Sequence, residues 1–137
     1  MRYLVIFLCL AISLSACKKK DTAAPVVRVL SPSNDAGFNS GETFTIAVEV
    51  SDNELVQGFS FTRINTTNFG LNSNGIFSTE IYNSPERTVG KQIDTIRFNQ
   101  TLTKSPGASL KYTYSYSFVV KDAAGNKTGE SLRIILP

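Results

Sequence analysis

Beyond residue 25, apolar and polar positions alternate with a period of two, the pattern of strands that bury one face. From Glu42 to Ser51, Phe44, Ile46, Val48 and Val50 fall on one side, and Thr45, Ala47, Glu49 and Ser51 on the other. Lys111 to Lys121 shows the alternation most strongly, with Tyr112, Tyr114, Tyr116, Phe118 and Val120 opposite Thr113, Ser115 and Ser117. Further strands are expected at Val26 to Leu30, at Leu55 to Ile64 with Phe59 and Phe61, at Ile93 to Leu102 with Ile96, Phe98 and Leu102, and at Ser131 to Leu136. Turn chemistry separates them at Ser31-Pro32, Asn34 to Gly41, Asp52-Asn53-Glu54 and Asp122 to Asn126, since Gly, Pro, Asn and Asp each favour turn backbone. No stretch of about ten residues keeps a helical period free of Gly, Pro or β-branched runs. The expectation is an all-β chain folded as an antiparallel sandwich of about seven strands.

The N-terminus breaks this pattern. Arg2 precedes an apolar run from Tyr3 to Ile12, then Ser13, Leu14, Ser15, Ala16 and Cys17. A positive start, a short apolar run and small residues are the order of an export signal, and the run is well under the roughly 20 residues that span a bilayer. Leu14-Ser15-Ala16-Cys17 resembles the lipobox of bacterial lipoproteins. The resemblance implies cleavage before Cys17 and lipid (palmitate among its acyl chains) on the cysteine thiol. Cys9 lies in the removed segment, so Cys17 is the one mature cysteine, and acylation disposes of an otherwise reactive exported thiol. The chain then divides into a signal peptide (1–16), a lipidated cysteine with a flexible tether (17–25) and one β-domain (26–137). Lys18, Lys19 and Lys20 followed by Asp21 loosely resemble the surface-export signal of Bacteroidota lipoproteins. The expected location is the outer membrane, on its periplasmic face or at the cell surface.

Charge narrows the partners. Of 14 basic residues, Arg2 and Lys18 to Lys20 precede Thr22, and of 11 acidic residues Asp21 does, which leaves ten of each in the domain. A neutral domain has no electrostatic footprint for nucleic acid. The chain has no histidine, which removes the usual general base and the commonest ligand of transition metals. The protein is therefore read as non-enzymatic, with no required cofactor and a small carboxylate-based hydrolase as the remote alternative.

The Pro-led first strand, the Gly41-Glu42-Thr43 entry, the Asp52-Asn53-Glu54-Leu55 turn and the Val120-Lys121-Asp122-Ala123-Ala124-Gly125-Asn126 turn together resemble bacterial immunoglobulin-like or cadherin-like domains. With the lipobox they are similar to a family of Bacteroidota lipoproteins of this fold. The resemblance covers most of residues 25–137. It implies an immunoglobulin-like sandwich, although the Cys and Trp core of antibody domains is missing.

Three candidate sites follow. Asp52, Asn53, Glu54 and Asp122 would share one end of a sandwich, and carboxylates beside amide oxygens suit calcium; the cadherin-like resemblance implies calcium as well. The segment from Thr66 to Glu86 carries an Asn74-Gly75 hairpin signal flanked by Phe69, Leu71, Phe77 and Tyr82, either a sheet-covering hairpin or a loop that docks a partner. Asp21-Thr22-Ala23 looks like the acceptor for O-linked sugars on exported Bacteroidota proteins, at Thr22. The functional expectation is a lipid-anchored interaction module of the cell envelope that binds protein or glycan. The alternative is a structural spacer in an envelope complex.

Overall fold

The computed structural model describes residues 21–69, 76–104 and 111–137, with 67–69 and 76–78 given by their backbone alone. Cys17 and the tether lysines lie outside the described residues. All regular structure among the described residues is strand: β1 (Val26–Ser31), β2 (Ala36–Gly37), β3 (Thr43–Phe69), β4 (Ile76–Asn83), β5 (Arg87–Thr101), β6 (Tyr112–Asp122) and β7 (Lys127–Leu136). The chain is all-β.

The fold is organised by β3, which spans 27 residues. Its first half pairs with β1, from Val26↔Ser51 to Ser31↔Ala47, and with β5, from Thr43↔Thr101 to Ser51↔Ile93. Its second half pairs with β6, from Val56↔Asp122 to Thr67↔Tyr112, and with β4, from Thr62↔Asn83 to Phe69↔Ile76. β5 stays paired across the bend, on to Phe59↔Arg87, and the change from β1 to β6 falls at the register shift between Ser51 and Val56. There Asp52 Oδ2 accepts the N–H groups of Glu54 at 3.0 Å and Leu55 at 2.9 Å. The turn expected at Asp52-Asn53-Glu54 is thus a bend inside one continuous strand, because the aspartate caps the extra residues locally while the backbone on either side keeps its ladder. Two strands expected to be separate are one element.

Strand order is β1-β3-β6-β7-β2, with β4 and β5 also paired to β3. One pair departs from an all-antiparallel arrangement: β2 runs parallel to β7, Ala36 beside Ile134 and Gly37 beside Ile135. The Asn34 to Gly41 segment, expected to be turn alone, reaches β7 because Asp35 N–H donates to the Arg133 carbonyl at 2.8 Å and Phe38 N–H to the Ile135 carbonyl at 3.0 Å. The Asp35 carboxylate also pairs with the Arg133 guanidinium. The sheet is therefore mixed, and β1 lies against β7 as well as β3.

Phe44, Ile46, Val48 and Val50 of β3 meet Tyr112, Tyr114, Tyr116, Phe118 and Val120 of β6 and Leu132, Ile134 and Leu136 of β7 in one buried cluster. Every second residue of β6 is buried, as a strand with one inward face requires. Phe61 stacks on Phe98 with ring centres 4.8 Å apart, and Tyr116 lies parallel to Phe118 at 6.1 Å. The three tyrosines of β6 belong to this core.

A carboxylate cluster and a cavity at opposite ends

The β3 bend and the β6–β7 turn meet at one end of the molecule, since Val56 pairs with Asp122. Asp21, Asp52 and Asp122 each bring a carboxylate oxygen to this end, all within 4.8 Å of one another. Asp122 is 1% exposed. Burial works to raise its pKa, but donors from the Asn126 side chain and from the N–H groups of Asn126, Gly125 and Ala124 outweigh that effect and hold the carboxyl below its ordinary value. It stays ionised inside the fold because hydrogen bonds to the charged form compensate desolvation.

Asn126 is the hub of this end. Its Nδ2 donates to Asp122 Oδ2 at 2.6 Å and reaches the carbonyls of Ala23 at 3.1 Å and Asp21 at 3.3 Å. Asn53 Nδ2 donates to Asp21 Oδ1 at 3.3 Å, and Ala23 N–H to the same oxygen at 3.0 Å. Pro25 is fully buried. The last residues of the segment expected to be free tether are thus held against the domain.

Among the described residues two buried side-chain oxygens lack a hydrogen-bond partner, Asp52 Oδ1 and the Tyr112 hydroxyl. Asp52 Oδ1 belongs to the carboxylate cluster's own residues. Three anionic groups this close repel unless a cation intervenes, and oxygen-rich sets of this kind suit calcium. Asp21, Asp52 and Asp122 are the residues that would hold it. Of the expected set, Asp52 and Asp122 are brought together. Asn53 turns its amide nitrogen to Asp21, and Glu54 is exposed and outside the cluster. Asp21 was missed because an acid in a polar, aperiodic segment carries no sign that it folds back; the Asn126 contacts that hold it are long-range.

The Tyr112 hydroxyl lies at the other end of β6, ten residues from Asp122, or roughly 33 Å at about 3.3 Å per residue. A cavity of about 440 Å³ opens there, lined by Arg63, Glu80, Thr103, Lys104, Tyr112 and Tyr114 among others. Arg63 is held by donation from its Nη1 to Gln100 Oε1 at 3.1 Å, with its guanidinium 5.4 Å from the Tyr82 ring centre. The Tyr114 hydroxyl donates to the Thr103 carbonyl at 2.9 Å, and burial raises its pKa.

Of the expected docking loop, Leu71 lies outside the described residues, as do the side chains of Phe69 and Phe77. Tyr82 is 46% exposed and packs one face toward Phe61 at 5.9 Å. It borders a shallow apolar hollow of about 250 Å³ with Phe59, Phe61, Pro85, Ile96 and Phe98. Thr22 is exposed beside the carboxylate cluster.

No family model matches the chain, and no curated protein matches it in sequence. Among solved structures it is similar to the sporulation control protein Spo0M from Bacillus subtilis, with TM-score 0.44, 10% identity, and coverage of 82% of this chain and 48% of that one. It is also similar to the Pseudomonas fluorescens alkylpurine DNA glycosylase AlkC bound to DNA containing an abasic site analog, with TM-score 0.44, 13% identity, and coverage of 82% and 30%. The chain spans less than half the length of either structure.

Proposed function

We propose that this protein is a lipid-anchored, non-enzymatic interaction module of the cell envelope, an immunoglobulin-like sandwich that holds its anchor at one end and binds protein or glycan at the other. The observation that carries the reading is the placement of Asp21 and the distal cavity at opposite ends of β6. Cys17 is four residues before Asp21, so a lipid on Cys17 is at most about 14 Å of extended chain from the domain. The cavity then points away from the membrane by the length of the domain. Its described lining contains one carboxylate, Glu80, whereas glycoside hydrolysis by paired carboxylates needs two.

A calcium ion between Asp21, Asp52 and Asp122 would reinforce this arrangement, because it would fasten the anchor-bearing segment to the domain. The unpartnered Asp52 Oδ1 favours that addition.

The test has two parts. Labelled palmitate should enter the wild type and not Cys17→Ser, and the variant should leave the membrane fraction. A photo-crosslinking residue placed at Glu80, at the distal end, should capture a partner on intact cells when one at exposed Leu55, at the anchored end, does not. Equal capture at both positions, or at neither, would favour the spacer.

A further inference from the structure

We infer that the distal cavity is a binding site for an acidic saccharide, a sugar unit that carries a carboxylate. The inference rests on the interaction-module reading and names its ligand. At about 440 Å³ the cavity has the size of small-ligand sites, which run from about 300 to 1,000 Å³. Most such sites are apolar. This one presents Arg63, Glu80, Thr101, Thr103 and Lys104 with Tyr112 and Tyr114, a wall of donors and acceptors that fits a polyhydroxylated molecule.

Tyr112 supplies the specific argument. The residue is 3% exposed and its hydroxyl has no partner. A buried hydroxyl left unpaired costs free energy; this one is closed off within a residue of the cavity wall, and a ligand that enters and shifts the wall supplies its partner. Neighbouring Tyr114, by contrast, is already committed to the Thr103 carbonyl.

Charge selects the acid. Among the described side chains that line the cavity are two cations, Arg63 and Lys104, and one carboxylate, Glu80, in a domain whose side-chain charges balance. The Lys104 ammonium sits 5.9 Å from the Tyr112 ring centre and donates to an oxygen of Pro137. An ammonium has three donors, so two remain for a ligand. Arg63 is tied to Gln100 and lies over the Tyr82 ring before any ligand binds, which lowers the ordering cost of binding. A sugar carboxylate beside Lys104 and Tyr112, with ring hydroxyls toward Glu80 and the threonines, satisfies each group in turn.

The probe is a panel of galacturonate and glucuronate oligomers, each beside its methyl ester, titrated calorimetrically into the full mature protein. The acids should bind, and esterification should weaken binding about tenfold by removing the charge alone. Lys104→Gln should weaken acid binding by a similar factor and leave ester binding unchanged. Tyr112→Phe should weaken it about threefold to tenfold with the melting temperature unchanged or raised, because only an idle hydroxyl is lost. Equal binding of acid and ester, no binding of either, or wild-type affinity in Tyr112→Phe would each overturn the inference. Capture of a partner at Glu80 with no saccharide binding would leave the interaction module standing and remove the acidic sugar.

Discussion

Asn126 and Asp122 are joined three times: Asn126 Nδ2 donates to Asp122 Oδ2 at 2.6 Å, Asn126 N–H to Asp122 Oδ1 at 2.7 Å, and Asp122 N–H to the Asn126 carbonyl at 3.1 Å. The same amide nitrogen also holds the carbonyls of Asp21 and Ala23, so one side chain closes the β6–β7 turn and docks the segment that precedes β1.

Asn126→Ala should therefore do two things at once. It should lower the melting temperature by roughly 5–10 °C, followed by circular dichroism, and it should speed amide exchange at Ala23. A lower melting point with unchanged exchange at Ala23 would mean that the docked segment is held by other contacts.

Calcium binding at Asp21, Asp52 and Asp122 predicts that millimolar calcium raises the melting temperature relative to chelator, with affinity in the range of extracellular calcium modules, about 10⁻⁴ to 10⁻³ M. Asp52→Asn keeps an oxygen able to accept the N–H groups of Glu54 and Leu55 and removes the charge. The variant should fold and lose the calcium response. An undiminished response would place the ion elsewhere.

Tyr116 is fully buried, donates to Gln100 Oε1 at 3.0 Å, and has its pKa pushed up to about 12, mainly by burial. The unfolded chain ionises this phenol near its ordinary value of about 10. The stabilisation is therefore complete below about pH 10 and is lost as pH rises toward 12. Titration at the tyrosinate absorbance band should show a phenol ionising near pH 12 that is absent in Tyr116→Phe, beside Tyr114, whose pKa burial also raises. The same variant should cost about 1 kcal/mol at neutral pH.

Phe118 is wholly buried between the Phe59 and Tyr116 rings, whose centres lie 6.0 and 6.1 Å away. Phe118→Ala should cost about 3–5 kcal/mol, a large share of the roughly 5–15 kcal/mol that holds a small domain folded. Ile93, 66% exposed on β5, should tolerate alanine within about 0.5 kcal/mol. Urea denaturation of the pair measures both, and equal losses would contradict the assigned core.

The alternation from Thr43 to Val50 and from Tyr112 to Val120 by itself determined that the chain is all-β and which side chains fill its core, because a strand's two faces are set by a period of two and water excludes the apolar one. Tertiary structure alone decided where those strands go. Asp52-Asn53-Glu54 reads as a turn, yet whether a capped aspartate ends a strand or bends it depends on the ladders on either side, and here β5, paired before and after the bend, with β1 before it and β6 after it, keeps β3 continuous. The parallel contact of β2 with β7 rests on Asp35 meeting Arg133, 98 residues away. Both candidate sites are assembled in the same manner. Asp21 joins Asp52 and Asp122, and Arg63 joins Lys104 and Tyr112, across separations that carry no periodic signal, since only folding brings together charges that are distant along the chain.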